Sequence, residues 1–295
     1  MNETKILGLS GKKQSGKNTS ANYVVGLFLR AIKVVEDFHI SKNGQLIVTD
    51  ILGNKEYQGI LDLDSKHPAF LDFAYEHVYP FVKTYSYADL LKKNVCIDVL
   101  GLSYEQCFGT DEQKNTETHL LWENMPGLVS DQNCDWYEDV EYSKKNKTHP
   151  QIHHFSAHPP GSMTAREVMQ FVGTEIFRKM YGNVWVEGTL RQIEKDSPTM
   201  AIISDVRFIN EIEGITTRPN GKVVRFTRDP YDGGDQHESE KALDNYDWSQ
   251  PNCIVIDNQD MTIEQQNQAL HTALANEMWV PHNVPQELLE ATLNV

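Results

Sequence analysis

Lys5-Ile6-Leu7-Gly8-Leu9-Ser10-Gly11-Lys12-Lys13-Gln14-Ser15-Gly16-Lys17-Asn18-Thr19 joins an apolar, strand-like run to a helical pattern through a glycine-bounded loop. The spacing Gly11-x4-Gly16-Lys17, after a strand and before a helix, is that of a loop that cradles phosphate. Glycines let the backbone close around an anion, successive amides and the helix N-terminus face it, and Lys17 adds a mobile positive charge. Gly11, Lys13, Gln14, Ser15, Gly16, Lys17, Asn18 and Thr19 are therefore expected to hold the triphosphate of ATP with its Mg2+. The residue after such a lysine is usually Ser or Thr, whose hydroxyl meets the metal. Here it is Asn18, with the Thr19 hydroxyl one position late. The Asn18 carbonyl, bridging water and the nucleotide phosphates themselves all stay open as ways to hold magnesium.

Outward from the loop, five short segments read as strands: Lys5 to Ser10, Phe81 to Tyr85, Met200 to Asp205, Lys222 to Thr227 and Cys253 to Asp257. Runs such as Ala201-Ile202-Ile203 and Cys253-Ile254-Val255-Ile256 suit strands buried on both faces of a parallel sheet. Alternation with helical patterns predicts an α/β fold with a five-stranded, mainly parallel sheet flanked by helices. Ser86 with Asp89 opens a helix whose apolar stripe Leu91, Val95, Val99 runs to Gly101. Thr164-Ala165-Arg166-Glu167 is a capping box ahead of the stripe Val168, Phe171, Val172, Ile176.

Two stretches break this rhythm. Residues 37–80 carry turn signals at Lys42-Asn43-Gly44 and Leu52-Gly53-Asn54 and read as an inserted hairpin or small meander. Residues 109–162 are polar and end in Pro159-Pro160-Gly161. Both are read as insertions in one domain spanning 1–275, followed by a tail at 276–295.

With 27 Lys+Arg against 42 Asp+Glu in 295 residues, the net charge of −15 argues against a polymeric nucleic acid partner. A locally positive cleft for a small anion remains compatible with it. The N-terminal apolar run is too short for a signal segment or a membrane span, so a cytoplasmic protein without membrane association is expected. Cys96, Cys107, Cys134 and Cys253 form no CxxC pair and read as reduced, buried thiols. His149, His153, His154 and His158 have a spacing that could bind metal, but their proline-containing surroundings read better as a solvated loop. Trp185 could stack on a base and reads better as core.

Ser10-Gly11-Lys12-Lys13-Gln14-Ser15-Gly16-Lys17-Asn18-Thr19 resembles the loop of bacteriophage deoxynucleoside monophosphate kinases and of phosphomevalonate kinases, which also place a residue without a hydroxyl after the lysine. Tyr85-Ser86-Tyr87-Ala88-Asp89-Leu90-Leu91-Lys92, Phe171-Val172-Gly173-Thr174-Glu175-Ile176-Phe177-Arg178 and Ser204-Asp205-Val206-Arg207-Phe208-Ile209-Asn210-Glu211 strengthen the phage match, which covers most of residues 5–275. The resemblance implies a P-loop kinase fold and transfer of phosphate from MgATP to a deoxynucleoside 5′-monophosphate.

On that reading Lys17, Asp205 and Arg207 serve catalysis. Asp205 ends a strand as a Walker-B-type carboxylate does, which makes it a metal candidate beside Asn18 and Thr19; a cap on the next helix is its plainer alternative. Lys92, Arg166, Arg178 and Arg207 are candidates for the acceptor phosphate, since a guanidinium fork donates two parallel hydrogen bonds. Arg228 and Asn258 border the nucleotide, and His237-Glu238-Ser239-Glu240 matches a lid motif in which His237 and Glu240 organise closure. A homodimer is compatible with this reading. Two rivals stand beside it: a kinase of another phosphorylated acceptor, such as phosphomevalonate or a modified nucleotide, and a nucleotide-binding module without turnover.

Overall fold

The computed structural model describes residues 4–51, 54–63, 65, 67–126, 129, 130, 157, 158, 160–230, 242–277, 279 and 280. They fall into two compact units, one built from Met1–Ala88 with Trp185–Val295 and the other from Asp89–Val184. The second unit is wider than the 109–162 insertion expected from the sequence.

The first unit holds a five-stranded parallel sheet of β1 (Lys5–Ser10), β5 (Val82–Tyr85), β10 (Met200–Val206), β11 (Gly221–Phe226) and β12 (Cys253–Ile256), in the order β12-β11-β1-β10-β5. These are the five strands expected, with ends shifted by a residue or so. Alternation along β1 explains the layers. Leu7 and Leu9 join Met200, Ile202, Val224, Phe226 and Ile256 in a core under α1 (Lys17–Ala31), α2 (Pro68–His77) and α9 (Ile263–Asn276). Ile6, Ala201, Ile203 and Val223 are buried on the other face. There α8 (Ile209–Thr216) approaches so closely that a Cβ at Gly8 would lie 2.6 Å from the Ile215 side chain. Trp185, at the start of α7 (Val184–Asp196), is buried, in line with its reading as core.

An antiparallel meander, β2 (Val35–Ile40), β3 (Leu46–Ile51) and β4 (Asn54–Ile60), follows α1 as the turn signals predict. Phe38 packs against Gly26 of α1, where a Cβ would stand 2.3 Å from the ring. The segment read as a tail begins inside the core, because Trp279 and Val280 are buried in the cluster of Leu7 and Leu9. Lys5 and Lys222 each lie over the Trp279 ring.

The second unit has its own core of Cys96, Leu102, Cys107, Met163, Ala165, Val168, Phe171 and Val172. Short helices α4 (Tyr104–Phe108) and α5 (Asp111–Lys114) and the pair β6 (Glu117–Leu121) with β9 (Ser162–Thr164) surround it, and two-residue strands β7 (Val129–Ser130) and β8 (Ala157–His158) pair with each other. Thr164 caps α6 (Ala165–Gln170) through the expected box, its side chain accepting from the Glu167 amide.

One expectation needs correction here. The stripe after α3 (Tyr87–Leu90) is wound as a π-helix, Leu91–Val99, with Leu100 N donating to Val95 O at 2.8 Å. A wider turn carries a four-residue stripe off its face. Val99 is accordingly exposed, and Cys96, five residues after Leu91, takes the buried position. A second π segment, Phe171–Arg178, continues α6, and a Cβ at its Gly173 would stand 2.6 Å from Leu91.

Cys96 and Cys107 are buried free thiols, whereas Cys253 is only partly buried. Cys134 lies outside the described residues, as do His149, His153 and His154.

Candidate functional site

The loop emerges at the carboxyl end of β1, the central strand, between Val206 of β10 and Arg225 of β11, the register partners of Ser10. Neighbouring connections diverge there, which opens the crevice where ligands of open α/β sheets bind. Gly11 has φ 155° and a Cβ on it would stand 2.4 Å from the Ser15 hydroxyl, so only glycine lets the loop close on itself. Gly16 has φ 94° and is the N-cap of α1 without any side-chain cap. An anion seated at this end would face the first turn of α1.

Lys17 is buried and curls back over the loop, its Nζ donating at 2.7 Å to both Gly11 O and Lys12 O. This fixes an ammonium at the mouth of the loop. The Ser15 hydroxyl is fully buried and has no protein hydrogen-bond partner. An orphaned hydroxyl inside a ring of loop backbone fits an anion's oxygens. Lys12 forms ion pairs with Asp244 at 3.1 Å and Asp229 at 3.6 Å. Lys13 and Gln14 are exposed, and Gln14 adopts φ 59°.

Asn258 follows β12 and is fully buried behind the loop, where its Nδ2 donates to Ser15 O at 2.8 Å and to Gln266 Oε1 at 2.6 Å. Its Oδ1 accepts the Arg228 amide at 2.9 Å, and its backbone carbonyl accepts Arg228 Nε at 3.0 Å. Arg228 also donates to Met261 O. The structure thus brings Asn258 and Arg228 together with the loop. Arg225 donates to Ser10 Oγ at 3.2 Å and lies over the Trp248 ring.

Asp205 sits near the carboxyl end of β10, the strand beside β1. Its carboxylate accepts from Ser86 Oγ at 2.6 Å, from Tyr87 N at 2.9 Å and from Ala88 N at 3.4 Å. Those contacts cap α3, an earlier helix, and not the helix that follows β10, which the plainer sequence reading named. Arg207 is held by its backbone, which donates to Glu211 Oε2 at 2.7 Å. Glu211, missed in the sequence, is almost fully buried and also accepts the Phe208 amide at 3.1 Å. Tyr87 Oη donates to its carbonyl, and burial first, then the Glu211 and Asp205 charges, push the Tyr87 hydroxyl pKa well up, so it stays a donor.

Of the candidate metal residues, Asn18 is exposed and Thr19 faces the meander turn, where a Cβ at Gly44 would stand 2.5 Å from its hydroxyl. No group of three or more His, Cys, Asp or Glu side chains that could hold a metal occurs among the described residues.

Lys92, Arg166 and Arg178 belong to the second unit. Lys92 lies over the Phe108 ring at 4.8 Å. Arg166 is engaged on the surface, with Nη2 2.7 Å from Asp111 and Nε donating to Asn115 at 2.9 Å. Arg178 ends the second π segment and is partly buried. His237 and Glu240 lie outside the described residues. No helix among the described residues is long and apolar enough to cross a membrane.

No protein-family model matches the chain, and no curated protein matches it.

Proposed function

We propose that the protein is a P-loop kinase that passes the γ-phosphoryl group of ATP to the phosphate of a deoxynucleoside 5′-monophosphate. The observation that carries this reading is the loop itself. A glycine-bounded turn at the carboxyl end of the central strand has a lysine ammonium 2.7 Å from two of its carbonyls and a buried, unpartnered Ser15 hydroxyl. Such a cradle suits a polyphosphate.

In the reaction a phosphate oxygen of the acceptor, anionic near neutral pH, forms a bond to the γ-phosphorus as the bond to the β-bridging oxygen breaks, giving ADP and a diphosphate. No strong protein base is required, so the protein's part is alignment and charge stabilisation. Lys17 leaves the Gly11 and Lys12 carbonyls for the transferring group, and the first amides of α1 hold the β-phosphate. Arg207, on a backbone anchored by buried Glu211 and next to Val206, the register partner of Ser10 at the start of the loop, is assigned the acceptor phosphate. Magnesium would neutralise phosphate charge, and it would come with the nucleotide. The site of action is the cytoplasm, where nucleotides are made.

A module that binds ATP without turnover is the second reading, favoured by the engagement of Asp205 as a helix cap. Incubation with ATP labelled in its γ-phosphate tests both: label should move to a deoxynucleoside monophosphate. Tight ATP binding with label staying on ATP for every acceptor would favour the silent module.

A further inference from the structure

We propose that Asn258 and Gln266 form a positioning pair that turns the amides of the loop toward its anion; this rests on the reading of the loop as phosphate-binding. Nδ2 of Asn258 donates to Ser15 O at 2.8 Å, and Nε2 of Gln266 donates to Gly16 O at 3.1 Å and to Ser20 Oγ at 2.8 Å. The two side chains are joined to each other at 2.6 Å, and both are almost wholly buried.

In a planar trans peptide the carbonyl and the N–H of the same bond point in opposite directions. Holding the Ser15 and Gly16 carbonyls from behind therefore aims the Gly16 and Lys17 amides to the other side, into the hollow of the loop. The chemistry also fixes which way each side-chain amide faces. Ser15 O and Gly16 O can only accept and the Arg228 N–H can only donate, so both nitrogens face the loop and Asn258 Oδ1 faces Arg228. Contact is tight enough that a Cβ at Gly16 would lie 2.5 Å from the Gln266 amide.

Asn258 is thereby a residue that acts through the loop, not one that reads a base. Gln266 extends the grip from β12 to α9, and the contact with Ser20 ties it to the first turn of α1. Asn267 adds a second link, accepting from Ser20 Oγ at 3.2 Å.

Two variants of the full-length protein test this. Gln266→Met keeps length and loses every polar contact; Asn258→Leu keeps the size without adding charge beside the anion and loses both donated bonds together with the acceptor for Arg228. Calorimetric titration with ATP and with inorganic tripolyphosphate, beside amide hydrogen exchange of residues 11–20 and thermal melts, reads the effect. Each folded variant should bind both probes about tenfold or more weaker, by a similar factor for the two, with faster exchange in the loop.

Unchanged affinity and exchange in folded variants would overturn the pair's role. So would a loss for ATP with none for tripolyphosphate, which would make Asn258 a base contact. Wild-type protein that binds neither probe would refute the phosphate-binding reading and the orientation toward an anion with it. Faster loop exchange in the variants would then locate that failure in the ligand and not in the grip.

Discussion

On the kinase reading Lys17 concentrates the chemistry at one position, because Gly11 O and Lys12 O hold its ammonium at 2.7 Å over the loop. Lys17→Ala should leave the fold intact by circular dichroism and lower turnover by roughly 10²–10³-fold or more; near-normal rates in a folded variant would remove the loop from the mechanism. Arg207→Ala should weaken the acceptor about ten- to a hundredfold while sparing ATP, which separate titrations of the two substrates would detect. The shape of the loop was legible, since glycines at fixed spacing between a strand and a helix announce a tight turn that closes on itself. What Asn258 does was not legible: its partner Ser15 lies 243 positions away, and only the folded chain joins them. Gln266 did leave a signal, a polar residue four positions before Leu270 and eight before Leu274 on the buried face of α9.

Elements show how pairs of residues fix the scaffold around the loop. The meander rests on α1 through Phe38 over Gly26, so Gly26→Ala should cost about 1–3 kcal/mol by overpacking, measured as a shift of the denaturant midpoint without a change in slope. At the far edge of the sheet Lys83 of β5 bonds Asp196 of α7 at 2.6 Å, with Tyr85 and Gln192 also donating. Burial pushes the Asp196 pKa up, but the Lys83 contact and the two donors outweigh it and leave the carboxyl below its ordinary value. A depressed carboxylate stabilises the fold above its ordinary pKa, near 4, and that contribution is lost as pH falls through the lower folded value. Asp196→Asn should therefore flatten the acid side of the stability profile, by less than about 1 kcal/mol because the pair is partly open to solvent. Helix starts were read well because capping boxes are local, as at Thr164. The winding of Leu91–Val99 was not, because a close approach between Leu91 and Gly173 belongs to the packed unit and not to the stripe.

For the whole molecule, apolar runs made the parallel sheet legible, and turn signals made the meander legible. Strand order was not, since pairing β1 with β10 and β11 depends on residues about 200 positions apart. The extent of the compact second unit was not legible, because Cys96, Leu102 and Cys107 join Met163 and Phe171 only through tertiary contact. The central claim concerns transfer, and coupled ADP release against a panel of acceptors measures it directly. With MgATP, at least one deoxynucleoside 5′-monophosphate should release ADP far faster than phosphomevalonate or water does, and Lys17→Ala should abolish the difference. ADP release confined to phosphomevalonate, or none above the rate with water for any acceptor, would contradict the account.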